Sequence, residues 1–339
     1  MESMENKTKK KKLAFDDLGP DRILGLVEDG LGIRCTNLFR PLNSYINRVY
    51  ELEQEDGTGL IAKLYRPGRW SKAGILDEHS FLLDLAEQEV PVIAPLRFQD
   101  GTTLAASDPF FFAVFPKCGG RSFDEYDDEQ WLQLGRLLGR VHSIGETEKA
   151  GHRICMSPGD STSRHLHYLM AASCVPAELK PQLKIAVERI IDEIAPLFNS
   201  VEQIRIHGDC HFSNMIYRPG ESFFIIDFDD MAMGPPVQDV WMLLPGGLDK
   251  SFIEMDFFLE GYETFRRFDR RTLRLIEPLR AMRFIHYMAW CAHQVEEDGG
   301  TRAIDGFGSR EYWQNEIGDL EDQLVRIRKE SLMENPLMI

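Results

Sequence analysis

The stretch from His207 to Asp239 is dense in side chains that can hold a proton or a hard cation: His207, Asp209, His211, Asn214, Asp227, Asp229 and Asp239. Phosphoryl transfer needs such a set. One carboxylate must accept or orient the acceptor hydroxyl, and two oxygen ligands must hold magnesium against nucleotide phosphates. Asp209 fits the first role, and Asn214 with Asp227 fits the second. Asp209 and Asp227 are therefore the candidate catalytic residues, and Asn214 and Asp227 the candidate metal ligands. An aspartate is a weak base, so positioning of the hydroxyl should matter more than proton abstraction.

These groups must be positioned by the elements around them. A polar loop, His207 to Asn214, precedes a short apolar run (Met215, Ile216, Tyr217), a turn at Arg218-Pro219-Gly220-Glu221, and a second run from Phe223 to Ile226 that ends in Asp227. Two β-rich runs a turn apart predict a hairpin, which returns Asp227 beside Asn214 at its open end, with Asp209 on the entering loop. The spacing Asp-x-x-x-x-Asn matches a kinase catalytic loop. By itself that is a weak signal, because Asp and Asn are common in turns. His-Gly before it and Ile-Ile-Asp-Phe-Asp after it set it apart from a polar loop that merely caps a hairpin.

His207-Gly208-Asp209, Asn214 and Ile226-Asp227-Phe228-Asp229 resemble the motif of the aminoglycoside phosphotransferase and choline kinase-like superfamily. The chain is similar in particular to the bacterial stress response kinase A family of serine/threonine kinases. The similarity is carried by Pro41-Leu42-Asn43-Ser44-Tyr45, Asn47-Arg48-Val49-Tyr50, Lys63-Leu64-Tyr65-Arg66-Pro67, Arg69-Trp70, Gln238 to Leu244 and Glu277 to Arg283, and runs from about Phe15 to about Trp313.

The resemblance implies an α+β, bilobal, protein-kinase-like fold with a small antiparallel-sheet N-lobe and a mostly helical C-lobe. It implies an ATP- and Mg2+-dependent serine/threonine protein kinase acting in stress response, with a small-molecule kinase for amino-alcohols or aminoglycoside-like compounds as the alternative. It also implies cofactor-binding roles for Lys63, as the strand lysine that pairs nucleotide phosphates, and for Ser44 in the loop Asn43 to Arg48. Glu78 is the choice for the helix carboxylate that orients Lys63, with Glu87 and Asp77 as alternatives. Bland readings stand beside these: a lysine snorkelling at a strand edge and an ordinary polar hairpin turn. Many superfamily members carry Gly-Asp-Pro where this chain has Gly234-Pro235-Pro236, a departure on the substrate side.

Composition sets the outer bounds. The 339 residues, 43% hydrophobic and 28% charged, suit a soluble globular protein of two lobes. No apolar run approaches the roughly 18 residues of a membrane span, and the Lys-rich N-terminus lacks an apolar signal core. Six scattered cysteines without a C-x-x-C pair suit a reducing cytoplasm and argue against a zinc ribbon or a disulfide framework. A net charge of -16 argues against nucleic-acid binding and is compatible with a basic protein substrate or another cationic, hydroxyl-bearing acceptor. The basic run Lys9 to Lys12 reads as a solvated tail, with an anionic contact as the minor alternative.

The chain divides into a disordered tail (1–14), a nucleotide-binding lobe (15–117) and a catalytic lobe (118–332). The first lobe should hold a helix from Pro20 stopping at Gly30, strands at 34–41, 47–54 and 59–65, and a helix capped by Ser71 running to about Glu89. Further strands are expected at 91–98, 102–106 and 110–115. Pro116 to Gly120 would be a hinge whose backbone can bond an adenine edge. Helices are expected at 130–142, 163–172, 177–198, 237–244, 251–267, 272–295 and 310–328. The acidic run Asp124 to Glu129 reads as helix N-terminal stabilisation or as a receptor for basic substrate. Asp239 should fix the catalytic loop by accepting backbone N–H groups, unless it is a simple N-cap; His207 should brace Asp227 or the backbone, and Asp229 is a secondary metal-ligand candidate. G-x-G-x-x-G and P-loop signatures are absent. A metallohydrolase built on the alternation of His207, Asp209 and His211 is the competing enzyme class.

Overall fold

The structure is a computed structural model that describes residues 19–44, 46–121, 125–218, 220–298 and 304–331. Lys9 to Lys12, Tyr45, Asp124 and Pro219 lie outside the described residues. The chain forms two compact units. One holds the described residues up to Trp70 together with Leu96–Lys117; the other holds Ser71–Pro95 and the described residues from Cys118 onward. The unit boundary at Lys117 and Cys118 falls inside the expected hinge.

In the first unit, helix α1 (Pro20–Leu31) packs on a five-stranded antiparallel sheet of order β1-β2-β3-β5-β4, with β1 Cys35–Leu42, β2 Arg48–Gln54, β3 Gly59–Tyr65, β4 Ala105–Ser107 and β5 Phe110–Pro116. Alternation along β3 explains its burial: Leu60, Ala62 and Leu64 join Ile23 and Val27 of α1, Leu52, Phe98, Phe112 and Val114 in one core. Lys63 and Tyr65 project from the other face. The helix passes the expected stop: Gly32, at φ +70°, is the cap, while Gly30 lies under the Phe98 ring. Residues 91–98 form no strand; prolines at 91 and 95 interrupt the ladder, and only Val92 makes an isolated bridge, to Ile225.

The second unit is mostly helical. Its helices are α2 (Lys72–Glu87), α3 (Asp128–Gly145), α4 (Ser163–Ala171), α5 (Lys180–Ile194), α6 (Val237–Trp241), α7 (Phe252–Tyr262), α8 (Ile276–Asp298) and α9 (Arg310–Ser331). Ser71 caps α2 by accepting the Gly74 N–H. Asp127 and Gln130 form a capping box on α3, so local stabilisation accounts for this part of the acidic run. Helices α3 and α7 approach so closely that a Cβ at Gly135 would sit 2.0 Å from the Phe258 carbonyl oxygen.

Two short ladders interrupt the helices. The expected hairpin is β7 (Met215–Tyr217) against β8 (Phe223–Ile225). A second pair, β6 (Ile204–Ile206) with β9 (Ala232–Gly234), has no signal in the sequence; it brackets the His207–Asn214 loop and the Asp227 turn.

Candidate active site

The site is built outward from Asp239, which is fully buried on α6. Its Oδ2 accepts the His207 amide N–H and its Oδ1 the Gly208 amide N–H, both at 2.8 Å. It lies inside α6 rather than at the N-cap, which is Pro236. His142 on α3 adds a third donor, Nε2 to Oδ2 at 3.1 Å, and its Nδ1 meets the Tyr262 hydroxyl at 2.9 Å. Gln238 Nε2 donates to the Gly208 carbonyl at 3.1 Å. Gly208 takes φ +85°, and a Cβ there would lie 2.3 Å from the Asp230 carbonyl oxygen, so only glycine fits this turn.

His207 acts on the backbone at both ends. Its Nδ1 accepts the Asp209 N–H at 3.2 Å, which makes Nε2 the donor to the Ile226 carbonyl at 2.9 Å. The catalytic loop is thereby fastened to the strand that delivers Asp227.

Asn214 closes the same corner. Its carboxamide Nδ2 donates to the Asp209 carbonyl at 3.0 Å, and its own carbonyl accepts the Ile226 N–H at 3.0 Å. With Nδ2 committed inward, Oδ1 is the atom Asn214 can present to a cation. Asp227 follows at φ 62°, ψ 64°, a left-handed conformation that is costly for a residue with a Cβ and that persists where the surroundings over-determine it. A carboxamide oxygen and a carboxylate are hard donors of the kind that hold magnesium alongside phosphates and water. The donor set therefore fits the metal.

Asp209 is flanked by Arg283 and His211. Arg283 Nη2 on α8 lies 2.7 Å from its Oδ1, and His211 Nε2 lies 3.4 Å from its Oδ2. Burial alone would raise the Asp209 carboxyl, but the His211 hydrogen bond, the Arg283 charge and the neighbouring imidazoles outweigh it and hold it well below the usual carboxylate range.

The structure thus brings Asp209, Asn214 and Asp227 together in the second unit. Lys63 stands in the first, in the middle of β3, paired with Val49 on β2 and Ala113 on β5, its Nζ 4.9 Å from the Tyr65 ring centre. Ser44, half-buried, lies just beyond β1. Glu78 is buried on α2, where its Oε2 lies 2.7 Å from Arg153 Nη2. Arg153 also donates to the carbonyls of Gly74 and Asp229, each at 2.7 Å. Arg153 sits in a loop whose sequence has no periodic pattern to mark it, and Arg283 ends one of the family-like stretches without a motif of its own.

The alternating His207, Asp209 and His211 make no zinc-like centre, since both His207 ring nitrogens are spent on the backbone. Among the described residues no group of three or more His, Cys, Asp or Glu is placed to hold a metal ion. Nor, among them, is any helix long and apolar enough to cross a membrane.

Comparison with known proteins gives a consistent result. Residues 39–276 match the family described as "Phosphotransferase enzyme family". The chain is 35% identical over 324 residues to stress response kinase A of Escherichia coli strain K12, covering 95% of this chain and 98% of that one. It is 33% identical, with the same coverage, to the serine/threonine protein kinase RdoA of Salmonella typhimurium strain LT2. Among solved structures, the amicoumacin kinase hAmiN in complex with AMP-PNP, Ca2+ and Ami has a TM-score of 0.73 at 20% identity, covering 90% of this chain and 94% of that one. A microcompartment-associated aminopropanol kinase has a TM-score of 0.66 at 19% identity, covering 91% and 96%. These two likenesses concern the fold, which is kinase-like, as expected. The chain belongs to the phosphotransferase enzyme family, and within it to the stress response kinase A family.

Proposed function

We propose that this kinase transfers the γ-phosphoryl group of ATP, with magnesium, to serine or threonine hydroxyls of a protein. The observation that carries the reading is the convergence of Asp209, Asn214 and Asp227 on one corner of the catalytic loop and hairpin. Asp209 aligns the acceptor hydroxyl and takes its proton as the new O–P bond forms. Asn214, through Oδ1, and Asp227 would hold the magnesium, which would supply neutralisation of phosphate charge. Lys63 and Ser44 are assigned to the nucleotide phosphates, and Glu78 to the orientation of Lys63. Asp239, His207 and Gln238 keep the loop in register.

The choice of a protein acceptor, and of a role in stress response, follows the names of the relatives that share a third of this sequence; a cytoplasmic location rests on the scattered cysteines alone. A second reading, a small-molecule kinase, is favoured by the fold neighbours, which include the aminopropanol kinase and a choline kinase. Incubation with labelled ATP, magnesium, a panel of acidic and basic proteins, and a set of amino-alcohols separates the two. Label on protein Ser or Thr is expected. Label confined to the amino-alcohols would establish the second reading instead.

A further inference from the structure

Arg283 and Arg153 both bring a guanidinium to the site, but in opposite ways. The Arg153 guanidinium is fully buried and spends Nε, Nη1 and Nη2 on three protein acceptors, which is what a structural strut requires. Arg283 keeps 30% of its side chain exposed and reaches one oxygen of Asp209 through one nitrogen. A guanidinium carries five N–H donors in a planar fork suited to phosphate oxygens, and a single carboxylate contact uses only part of it.

The helix that carries Arg283 is keyed to the catalytic loop. One turn earlier on α8, Arg280 Nε lies 3.1 Å from Glu277 Oε1, and its guanidinium stands 4.8 Å over the Trp241 ring. Trp241 Nε1 donates to Gln238 Oε1 at 3.0 Å, and Gln238 in turn holds the Gly208 carbonyl. Gln323 on α9 fixes Glu277 from behind, at 2.6 Å. Such a chain sets the height of α8 against the loop, and with it the reach of Arg283.

We propose that Arg283 is a further catalytic residue, one that holds Asp209 before transfer and donates to the phosphoryl group during it. The inference rests on the phosphotransfer reading above. In the step, the acceptor oxygen bonds to the γ-phosphorus while the bond to the β–γ bridging oxygen breaks, its electron pair leaving with ADP. The hydroxyl proton passes to Asp209. Charge spreads over the three equatorial oxygens of the transferring group, and a cation beside the attacking hydroxyl lowers the barrier there. Arg283 is the guanidinium that the structure places beside the acceptor carboxylate.

The test compares wild type with Arg283→Ala and Arg283→Lys, reading phosphoryl transfer to protein, ATP hydrolysis to water, nucleotide affinity by fluorescence titration, and melting temperature. Turnover in Arg283→Ala should fall about 100-fold, with nucleotide affinity changed less than about threefold. Added guanidinium ion should restore part of the loss, and Arg283→Lys should lie between. Turnover in Arg283→Ala within about threefold of wild type, or a loss that guanidinium leaves untouched and that tracks weaker nucleotide binding, overturns the proposal. If wild type hydrolyses ATP yet labels no protein, the protein-kinase reading fails, and Arg283 is judged on hydrolysis alone.

Discussion

Arg153 Nη2 lies 2.7 Å from Glu78 Oε2, with both side chains buried, and the same guanidinium holds the carbonyl of Asp229. Helix α2 and the turn that follows Asp227 are thereby tied through one residue. Arg153→Met removes a buried ion pair together with the donors to the Gly74 and Asp229 carbonyls. Arg153→Met should cost about 3–5 kcal/mol of stability, whereas Glu78→Gln, which keeps an acceptor oxygen, should cost less. Chemical denaturation of both variants checks the order; equal stability of Arg153→Met and wild type would show the clasp to be idle.

Asp239 holds two backbone N–H groups of the catalytic loop. Asp239→Asn keeps the shape but replaces one acceptor with an NH2 facing an N–H donor. The loss should be about 3 kcal/mol, since the His207 and Gly208 amides and His142 Nε2 then share one acceptor oxygen. Phosphotransfer should fall by more than about tenfold at saturating ATP, because a misplaced loop costs rate at the chemical step. Amide hydrogen exchange at His207 and Gly208 should quicken in step, and unchanged exchange would refute the assignment.

A pH dependence follows from α4 and α8, where His165 Nε2 lies 3.2 Å from His286 Nδ1. Burial, and then the charges of His293 and Arg164, push the His165 imidazole down from 6.5 to about 4, against the opposing pull of Asp230. The unfolded chain therefore binds the proton first. The contribution to stability is complete above about pH 6.5 and is lost as pH falls toward 4. Between pH 7 and 5 wild type should lose about 2 kcal/mol more than His165→Gln. Urea unfolding at the two pH values measures it; parallel losses would contradict it.

Regulation by loop phosphorylation is not expected. Eleven residues separate Asp227 from Asp239, and no Ser, Thr or Tyr occurs from Phe223 through Lys250. Protein purified and stripped with a phosphatase should reach its full initial rate without delay. A lag that disappears after preincubation with ATP would show that a modified residue elsewhere controls the site.

The site was legible in the sequence where its geometry is local. Asn214 and Asp227 meet because a turn of a few residues sets the hairpin register, and β2 and β3 follow from alternation about a Gly-Thr-Gly turn. What stayed hidden depends on distant pairing. The β6–β9 ladder joins three-residue strands too short to show a period. Arg153 and Arg283 meet their carboxylates across 75 and 74 residues of chain, and no spacing rule links them to their partners. Gly30 and Gly32 both look like helix stops; only the packing of Phe98 and the sign of φ decide between them.

Asp209, in its corner with Asn214 and Asp227, is the group assigned to direct phosphoryl transfer. Replacing Asp209 with Asn alters one atom type and leaves the loop bonds of Asp239, His207 and Asn214 in place. Initial rates of transfer from labelled ATP with magnesium, measured for wild type and Asp209→Asn of equal melting temperature, test the claim most directly. The rate should fall about 100-fold or more with nucleotide binding kept; a folded Asp209→Asn protein that transfers phosphate at the wild-type rate would show that Asp209 does not direct the transfer.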